Sequence, residues 1–258
     1  MTEIISPENK CVHSFEVVAL YGAFMERTTF LNDFSEVRTG VNQNQLQAVE
    51  MILETIREYD EKDEGVIIDI FGGMFSGKTT VVCLLADSLR GDDFKVYKHR
   101  LDYSRTGESL VSNSGKVWTK AGLYESVKDF DNARRILIID EFQFNTTDSD
   151  EEIKRFLQKR KKEGKITVIS QLDFNYRRDP WRTTKIILPH GDRFFVLRAQ
   201  CEGCGAPAEF PQRIVDGKPA HVDDPEIVVG AEELYQAKCW RCHEVGGKEP
   251  SHPPLFGS

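Results

Sequence analysis

Short apolar runs recur along this chain, separated by stretches in which apolar residues return every three or four positions. VIIDIF at 66–71, FKVYK at 94–98, RILIID at 135–140, KITVIS at 165–170 and RFFVL at 193–197 are continuous or nearly so and rich in β-branched or aromatic residues. Runs this short and this apolar predict strands covered on both faces rather than strands with one wet side. Between them the period changes. Leu46, Val49, Leu53 and Ile56 fall on one helical stripe, with Asn42 placed to cap it and Gln45 three residues on to close a capping box. The acidic stretch 58–64 is expected to end that helix in a solvated turn. The stretch 80–89 is compatible with a second helix, and 151–163 reads as a charged surface helix. Strands alternating with helices, without tight-hairpin signals, predict an α/β fold with a central parallel sheet covered by helices. Residues 1–40 carry no strong period.

After Leu197 the pattern shifts to Cys, Gly and Pro with few apolar runs. The expected division is therefore an N-terminal extension with an amphipathic helix at 1–64, the sheet domain at 65–198, a small cysteine-bearing domain at 199–245 and a tail at 246–258. That tail, GGKEPSHPPLFGS, has the composition of a disordered segment. A chain of 258 residues suits one α/β core and a satellite. With 40% hydrophobic and 29% charged residues it reads as a soluble globular protein. Lys plus Arg total 34 against 42 for Asp plus Glu, and the resulting charge of −8 makes nucleic acid an unfavoured partner. No apolar run approaches the ~20 residues that span a bilayer, so no membrane is expected. The start, MTEIISPENK, lacks the basic and apolar regions of a secretory signal. Six cysteines without such a signal point to metal rather than disulfides, and to a cytoplasmic location.

Three segments carry candidate chemistry. GGMFSGKTT contains G-x-x-x-x-G-K-T from Gly72 to Thr79, placed after one predicted strand and before a predicted helix, which is the context a phosphate loop requires. Gly72, Gly73 and Gly77 let backbone N–H groups of a loop that also holds Met74, Phe75 and Ser76 turn toward phosphate oxygens, and the helix start at Thr80 adds its positive dipole end. Lys78 would reach the β- and γ-phosphates of ATP, and the Thr79 hydroxyl would ligate Mg²⁺. RILIID ends in Asp140 at the carboxyl end of a strand, where α/β sheets bind ligands, so Asp140 is the second magnesium group. Glu141, one residue on, points elsewhere and can take a proton from an attacking hydroxyl or water. Two Cys-x-x-Cys pairs, Cys201/Cys204 and Cys239/Cys242, have the spacing of a four-thiolate zinc site, which leaves no open position and is therefore structural. His243, beside Cys242, is an alternative ligand.

In this order, GGMFSGKTT, IDEFQF (139–144), ISQLDFNYRRDPW (169–181) and the paired cysteines resemble the thymidine kinases of the cellular and poxviral type, over 65–243. The resemblance implies ATP-dependent phosphorylation of the 5′-hydroxyl of thymidine or deoxyuridine in nucleotide salvage for DNA synthesis. It places Lys78 and Thr79 on phosphate and Mg²⁺, Asp140 on the metal and Glu141 as general base. It implies a nucleoside site drawing on Met74, Phe144, Leu172 and Tyr176. A zinc-held lasso, IVVGAEELY at 227–235 with Val228, Gly230 and Tyr235, would close over the base through main-chain groups. It also implies a homotetramer. The chain departs from the family pattern at Gly73 (proline), Phe142 (glycine), Asn145 (phenylalanine) and Ala231 (glycine), and Phe142 beside the base is expected to reshape the acceptor pocket. KHRLDYSR at 98–105 matches only loosely, leaving Arg100 and Arg105 without a role.

VNQNQLQAV at 41–49 resembles the N-x-x-Q-x-x-A-V element of superfamily-one helicases, in which the glutamine reads the adenine edge; this puts Gln45 among the ATP-binding candidates, beside its plainer reading as part of a helix cap. It also sustains an alternative, a nucleic-acid-dependent P-loop ATPase of helicase type with Glu141 activating water. The acidic balance and room for only one sheet domain count against a motor. A catalytically dead zinc-stabilised module would have no use for Lys78, Thr79, Asp140 and Glu141 together.

Overall fold

All five apolar runs become strands of one sheet. The computed structural model describes residues 28–31, 36–37, 41–102, 107, 109–112, 117–118, 121–228 and 234–247. The sheet comprises β1 (Thr28–Leu31), β2 (Val66–Gly72), β3 (Phe94–His99), β4 (Gly122–Tyr124), β5 (Ile136–Asp140), β6 (Ile166–Gln171) and β7 (Arg193–Leu197). Its seven strands lie in the order β1-β7-β2-β6-β5-β3-β4, and every pairing is parallel. Neither edge strand is legible in the sequence. β4 is only three residues long, too short to show a period, and β1 lies within 1–40, where no pattern was legible.

Among the described residues four helices accompany the sheet: α1 (Gln43–Glu61), α2 (Lys78–Ser88), α3 (Asp150–Lys162) and α4 (Arg182–Ile187). The capping box read from the sequence closes α1: the Asn42 side chain accepts from the Gln45 N–H and the Gln45 side chain from the Asn42 N–H, each at 3.0 Å. The acidic stretch expected to follow α1 instead forms its last turn, since the helix runs through Glu61. Ser149 caps α3 in the same way, with acids in its first turn and lysine and arginine in its last, the arrangement the helix dipole favours.

Each face of the sheet has its own core. Ile68 and Ile70 of β2 pack with Ala48 and Ile52 of α1 and Val81 and Leu85 of α2. On the other face Ile67 and Phe71 pack with Ile153 and Leu157 of α3 and with Phe194. Strand alternation puts Asp69 on this second face. It is fully buried, accepts a 2.6 Å bond from Gln171 Nε2, and burial holds its carboxyl well above the usual range. Beyond β7 the parallel sheet gives way to short antiparallel pairs. β8 (Ala199–Gln200) pairs with β9 (Pro207–Ala208), while β10 (Phe210–Val215) lies between β11 (Lys218–Pro219) and β12 (Tyr235–Lys238). Among the described residues no helix is long and apolar enough to cross a membrane.

Candidate active site

The phosphate loop leaves the carboxyl end of β2 and feeds straight into α2. Gly72 is required there: a Cβ would lie 2.4 Å from the Leu197 carbonyl and 2.5 Å from Ser76 Oγ. Gly77 is required twice over, by its φ of +89° and by the Gln45 Nε2 that would sit 1.9 Å from a Cβ. At Gly73 a Cβ would meet nothing closer than 3.5 Å, so packing leaves room for a side-chain carbon there. Ser76 Oγ donates to the Gly73 carbonyl at 2.9 Å. Lys78 Nζ, buried at the start of α2, donates to the Gly72 and Gly73 carbonyls, each at 2.9 Å. Burial lowers its pKa, against the pull of the Glu141, Asp173 and Asp140 charges. Met74 is half-buried, Phe75 is exposed, and Thr80 is buried in the first turn of α2.

Gln45 stands against this loop. Its Oε1 is engaged by the Asn42 N–H and its Nε2 packs on Gly77, so the first turn of α1 braces the phosphate loop. That is the capping role read from the sequence, joined to a loop contact that the sequence does not reveal.

Two strands from the phosphate loop's own strand, with β6 between them, the end of β5 supplies the acids. Thr79 Oγ1 donates to Asp140 Oδ2 at 3.0 Å, and Ser170 Oγ, from β6, donates to Oδ1 at 2.6 Å. Ser170 was not singled out in the sequence; its position near the end of the strand beside β5 is the available signal. Burial raises the Asp140 pKa and these two hydroxyls work against it. A hydroxyl and a carboxylate this close form an all-oxygen donor pair of the kind Mg²⁺ takes. At Glu141 the backbone turns left-handed, with φ 59° and ψ 40°, a conformation that costs a side-chain-bearing residue about 1–2 kcal/mol. The turn aims the Glu141 carboxyl away from the strand direction. Gln143 holds it there: its Nε2 donates to Glu141 Oε2, and its Oε1 accepts the Leu172 N–H at 3.1 Å. Burial first and the Asp140 charge second raise Glu141 to about 7, with Lys78 pulling it back. A carboxyl so poised can accept a proton near neutral pH.

The residues expected to hold a nucleoside divide into two groups. Phe144 and Leu172, both half-buried, follow β5 and β6, neighbouring strands whose ends carry the acids and the serine. Phe144 packs against Trp181, with centroids 6.3 Å apart, and His99, 6.0 Å away; neither neighbour was singled out in the sequence. Tyr176, by contrast, is buried as a strut. Its hydroxyl lies 3.0 Å from the His221 carbonyl and 2.6 Å from that of Asp224. The Arg177 and Arg213 guanidiniums sit over its ring at 5.0 and 5.4 Å. Tyr235 is half-buried opposite Arg213 in the β10–β12 register, and Val228 is half-buried. Gly230 and Ala231 lie outside the described residues, as does Arg105.

One expectation about the departures is corrected. Phe142 does not reshape an acceptor pocket: it is fully buried, stacked on Tyr124 at 6.3 Å, because the turn at Glu141 sends the next side chain into the core. Asn145 is likewise internal, its amide donating to Asp148 Oδ2 at 2.8 Å. Arg100 makes an exposed ion pair with Glu125.

The four paired cysteines converge at the ends of β8 and β12, with all Sγ atoms within 4.8 Å of one another. Tetrahedral zinc with Zn–S near 2.3 Å needs sulfur atoms about 3.8 Å apart, which this cluster fits. Burial opposes ionisation of Cys201, yet backbone N–H groups outweigh it and bring the thiol to about 6. Hydrogen bonds shared with Cys204 and Cys239 push Cys242 to about 12. Four thiols so crowded cannot all ionise without a cation between them. His243 is not a further ligand. Its Nδ1 accepts from Arg178 Nε at 3.1 Å and its Nε2 faces the Pro211 carbonyl at 3.4 Å, so both ring nitrogens are occupied. Through Arg178 it ties the cysteine lobe to the loop after β6.

This coupling predicts how the lobe fails. Cys239→Ser is expected to raise the nucleoside KM about tenfold or more with a smaller change in the ATP KM, because removing a ligand frees the segment that carries Tyr235. Thermal unfolding of the main sheet should shift less than activity falls. Steady-state kinetics in both substrates, alongside elemental analysis for zinc, checks this; an unchanged nucleoside KM in a folded, zinc-free variant would separate the metal from substrate binding.

A phosphate loop braced at the carboxyl edge of a parallel sheet, facing an oxygen metal pair and a carboxyl poised near neutrality, defines a phosphate-loop enzyme of phosphoryl transfer. The model of one such family, thymidine kinase, matches residues 65–243. The chain is also 33% identical over 193 residues to the thymidine kinases of two strains of Halobacterium salinarum, covering 71% of this chain and 96% of each relative. The chain belongs to the thymidine kinase family.

Proposed function

We propose that the protein transfers the γ-phosphoryl group of ATP to the 5′-hydroxyl of thymidine or deoxyuridine. The observation that carries this reading is Glu141, held by Gln143 in a left-handed turn and raised to about 7, beside the Thr79–Asp140 pair. The loop N–H groups and Lys78 hold the ATP phosphates, and Thr79 with Asp140 would hold Mg²⁺, which neutralises phosphate charge when bound. Glu141 accepts the proton of the 5′-hydroxyl as its oxygen bonds to the γ-phosphorus, and the bridging oxygen leaves with ADP. Phe144, Leu172 and Met74 supply apolar surface for a pyrimidine. Tyr176, Arg213 and Tyr235 anchor a lasso in which Val228 and Gly230 offer main-chain groups to the base. Zinc on Cys201, Cys204, Cys239 and Cys242 holds its ends.

On this reading the kinase body is 65–198 together with β1 and α1 from the stretch 1–64, which join its sheet and core, 199–245 is the lasso and 246–258 an addition, and the family relationship supports a cytoplasmic homotetramer. A helicase-type motor would need a second lobe to grip a strand, and among the described residues there is one large sheet. ADP release with Mg²⁺ and ATP separates the two: stimulation by thymidine supports the kinase, whereas stimulation by single-stranded DNA alone overturns it.

A further inference from the structure

His99 ends β3 at the same sheet edge as the acids. Its neighbour Lys98 pairs with Asp140 in the β3–β5 register, which brings His99 level with Glu141. Only 4% of His99 is exposed. The ring stands edge-on to Tyr124 at 5.0 Å and lies 6.0 Å from Phe144. Its Nδ1 accepts the Leu101 N–H at 3.2 Å, so Nδ1 is bare and the proton of the neutral ring sits on Nε2. Burial, aided by the Arg100 charge, lowers His99 to about 4, which keeps it in that neutral form at physiological pH.

The Nε2–H group has no partner among the described residues, although it is shielded from solvent. The same holds for the indole N–H of Trp181, a residue 7% exposed and edge-on to Phe144. Buried donors are rarely left unmatched, because each has surrendered its water without a replacement. Here two such donors pack on one ring, and that ring is only half-buried. A molecule laid on Phe144 would bury the rest of it, and a small turn of the two neighbouring rings would present their N–H groups to its oxygen atoms.

We propose that His99 and Trp181 are substrate-recognition residues whose N–H groups donate to oxygens of the nucleoside stacked on Phe144. This rests on the nucleoside-kinase reading and adds to it a side-chain contribution to specificity. The ligand must present acceptors, base carbonyl or sugar hydroxyl oxygens, toward these donors. A pyrimidine that offers an amino group in place of an engaged carbonyl sets donor against donor and is disfavoured.

The test is steady-state kinetics of His99→Phe, His99→Gln and Trp181→Phe with thymidine and ATP, each variant checked by thermal unfolding. His99→Phe and Trp181→Phe are each expected to raise the thymidine KM about tenfold, the value of one neutral hydrogen bond, with the ATP KM unchanged. His99→Gln, which keeps a donor, is expected to recover part of the loss. Two analogues locate the oxygen: 3′-deoxythymidine lacks the sugar hydroxyl, and the 4-deoxo pyrimidinone deoxyriboside lacks a base carbonyl. The analogue missing the engaged oxygen should no longer distinguish parent from variant. Folded His99→Phe and Trp181→Phe enzymes with the parent's thymidine KM and turnover would overturn the inference while leaving the kinase reading intact. A parent that phosphorylates no nucleoside would refute the kinase reading, and this inference with it.

Discussion

Glu141→Gln is expected to lower turnover by about 10²–10⁴-fold while leaving ATP binding nearly unchanged. The substitution preserves shape and keeps an oxygen for Gln143, but an amide cannot accept the proton of the attacking hydroxyl. The pH dependence gives a sharper signature. Burial and the Asp140 charge raise the Glu141 carboxyl to about 7. Below that pH the group is protonated and idle; above it the group is ionised and can act as a base. In the parent, kcat/KM for the nucleoside should therefore rise with pH as this carboxyl ionises and level off once it is fully ionised. In Glu141→Gln the rise should be absent. Equal turnover in parent and variant would remove Glu141 from the mechanism.

Lys78→Ala should damage binding and turnover together. The ammonium donates to the Gly72 and Gly73 carbonyls at 2.9 Å, so it both braces the loop and carries the charge that meets the phosphates. Its removal is expected to raise the ATP KM at least about tenfold and lower turnover by roughly 10²–10³-fold, since phosphoryl transfer depends on charge neutralisation more than on covalent chemistry. Lys78→Arg should not rescue it, because the planar guanidinium cannot replace a compact ammonium among buried loop carbonyls. An ATP KM equal to the parent's in Lys78→Ala would place the phosphates elsewhere.

The chain states its central architecture openly because β2, β5 and β6 are covered on both faces and so read as unbroken apolar runs. The phosphate loop, the acids and the cysteine pairs are legible because their chemistry depends on spacing along the chain. What the sequence hides depends on contacts between distant segments or on a single backbone angle. Adjacency to Asp140 suggests that Glu141 points elsewhere, but it is the left-handed turn that aims it and sends Phe142 into the core. Tyr176 matches a base-stacking position, yet carbonyls of His221 and Asp224 claim its hydroxyl. His243 sits beside a zinc ligand, yet Arg178 and Pro211 occupy its nitrogens. The asparagine–glutamine cap of α1 was readable within one turn, whereas the contact of Gln45 with Gly77 arises only when α1 packs against the loop. His99 and Trp181 lie in stretches that match the family, Trp181 closely and His99 loosely, but nothing along the chain gives either a role, and only the packing around Phe144 reveals them.

The most direct test of the functional reading follows the phosphoryl group itself. With γ-labelled ATP, Mg²⁺ and thymidine, the label is expected in thymidine 5′-monophosphate in step with ADP, and 5′-deoxythymidine, which lacks the acceptor oxygen, should take up none. ADP accompanied only by labelled free phosphate, with no labelled nucleoside, would contradict it.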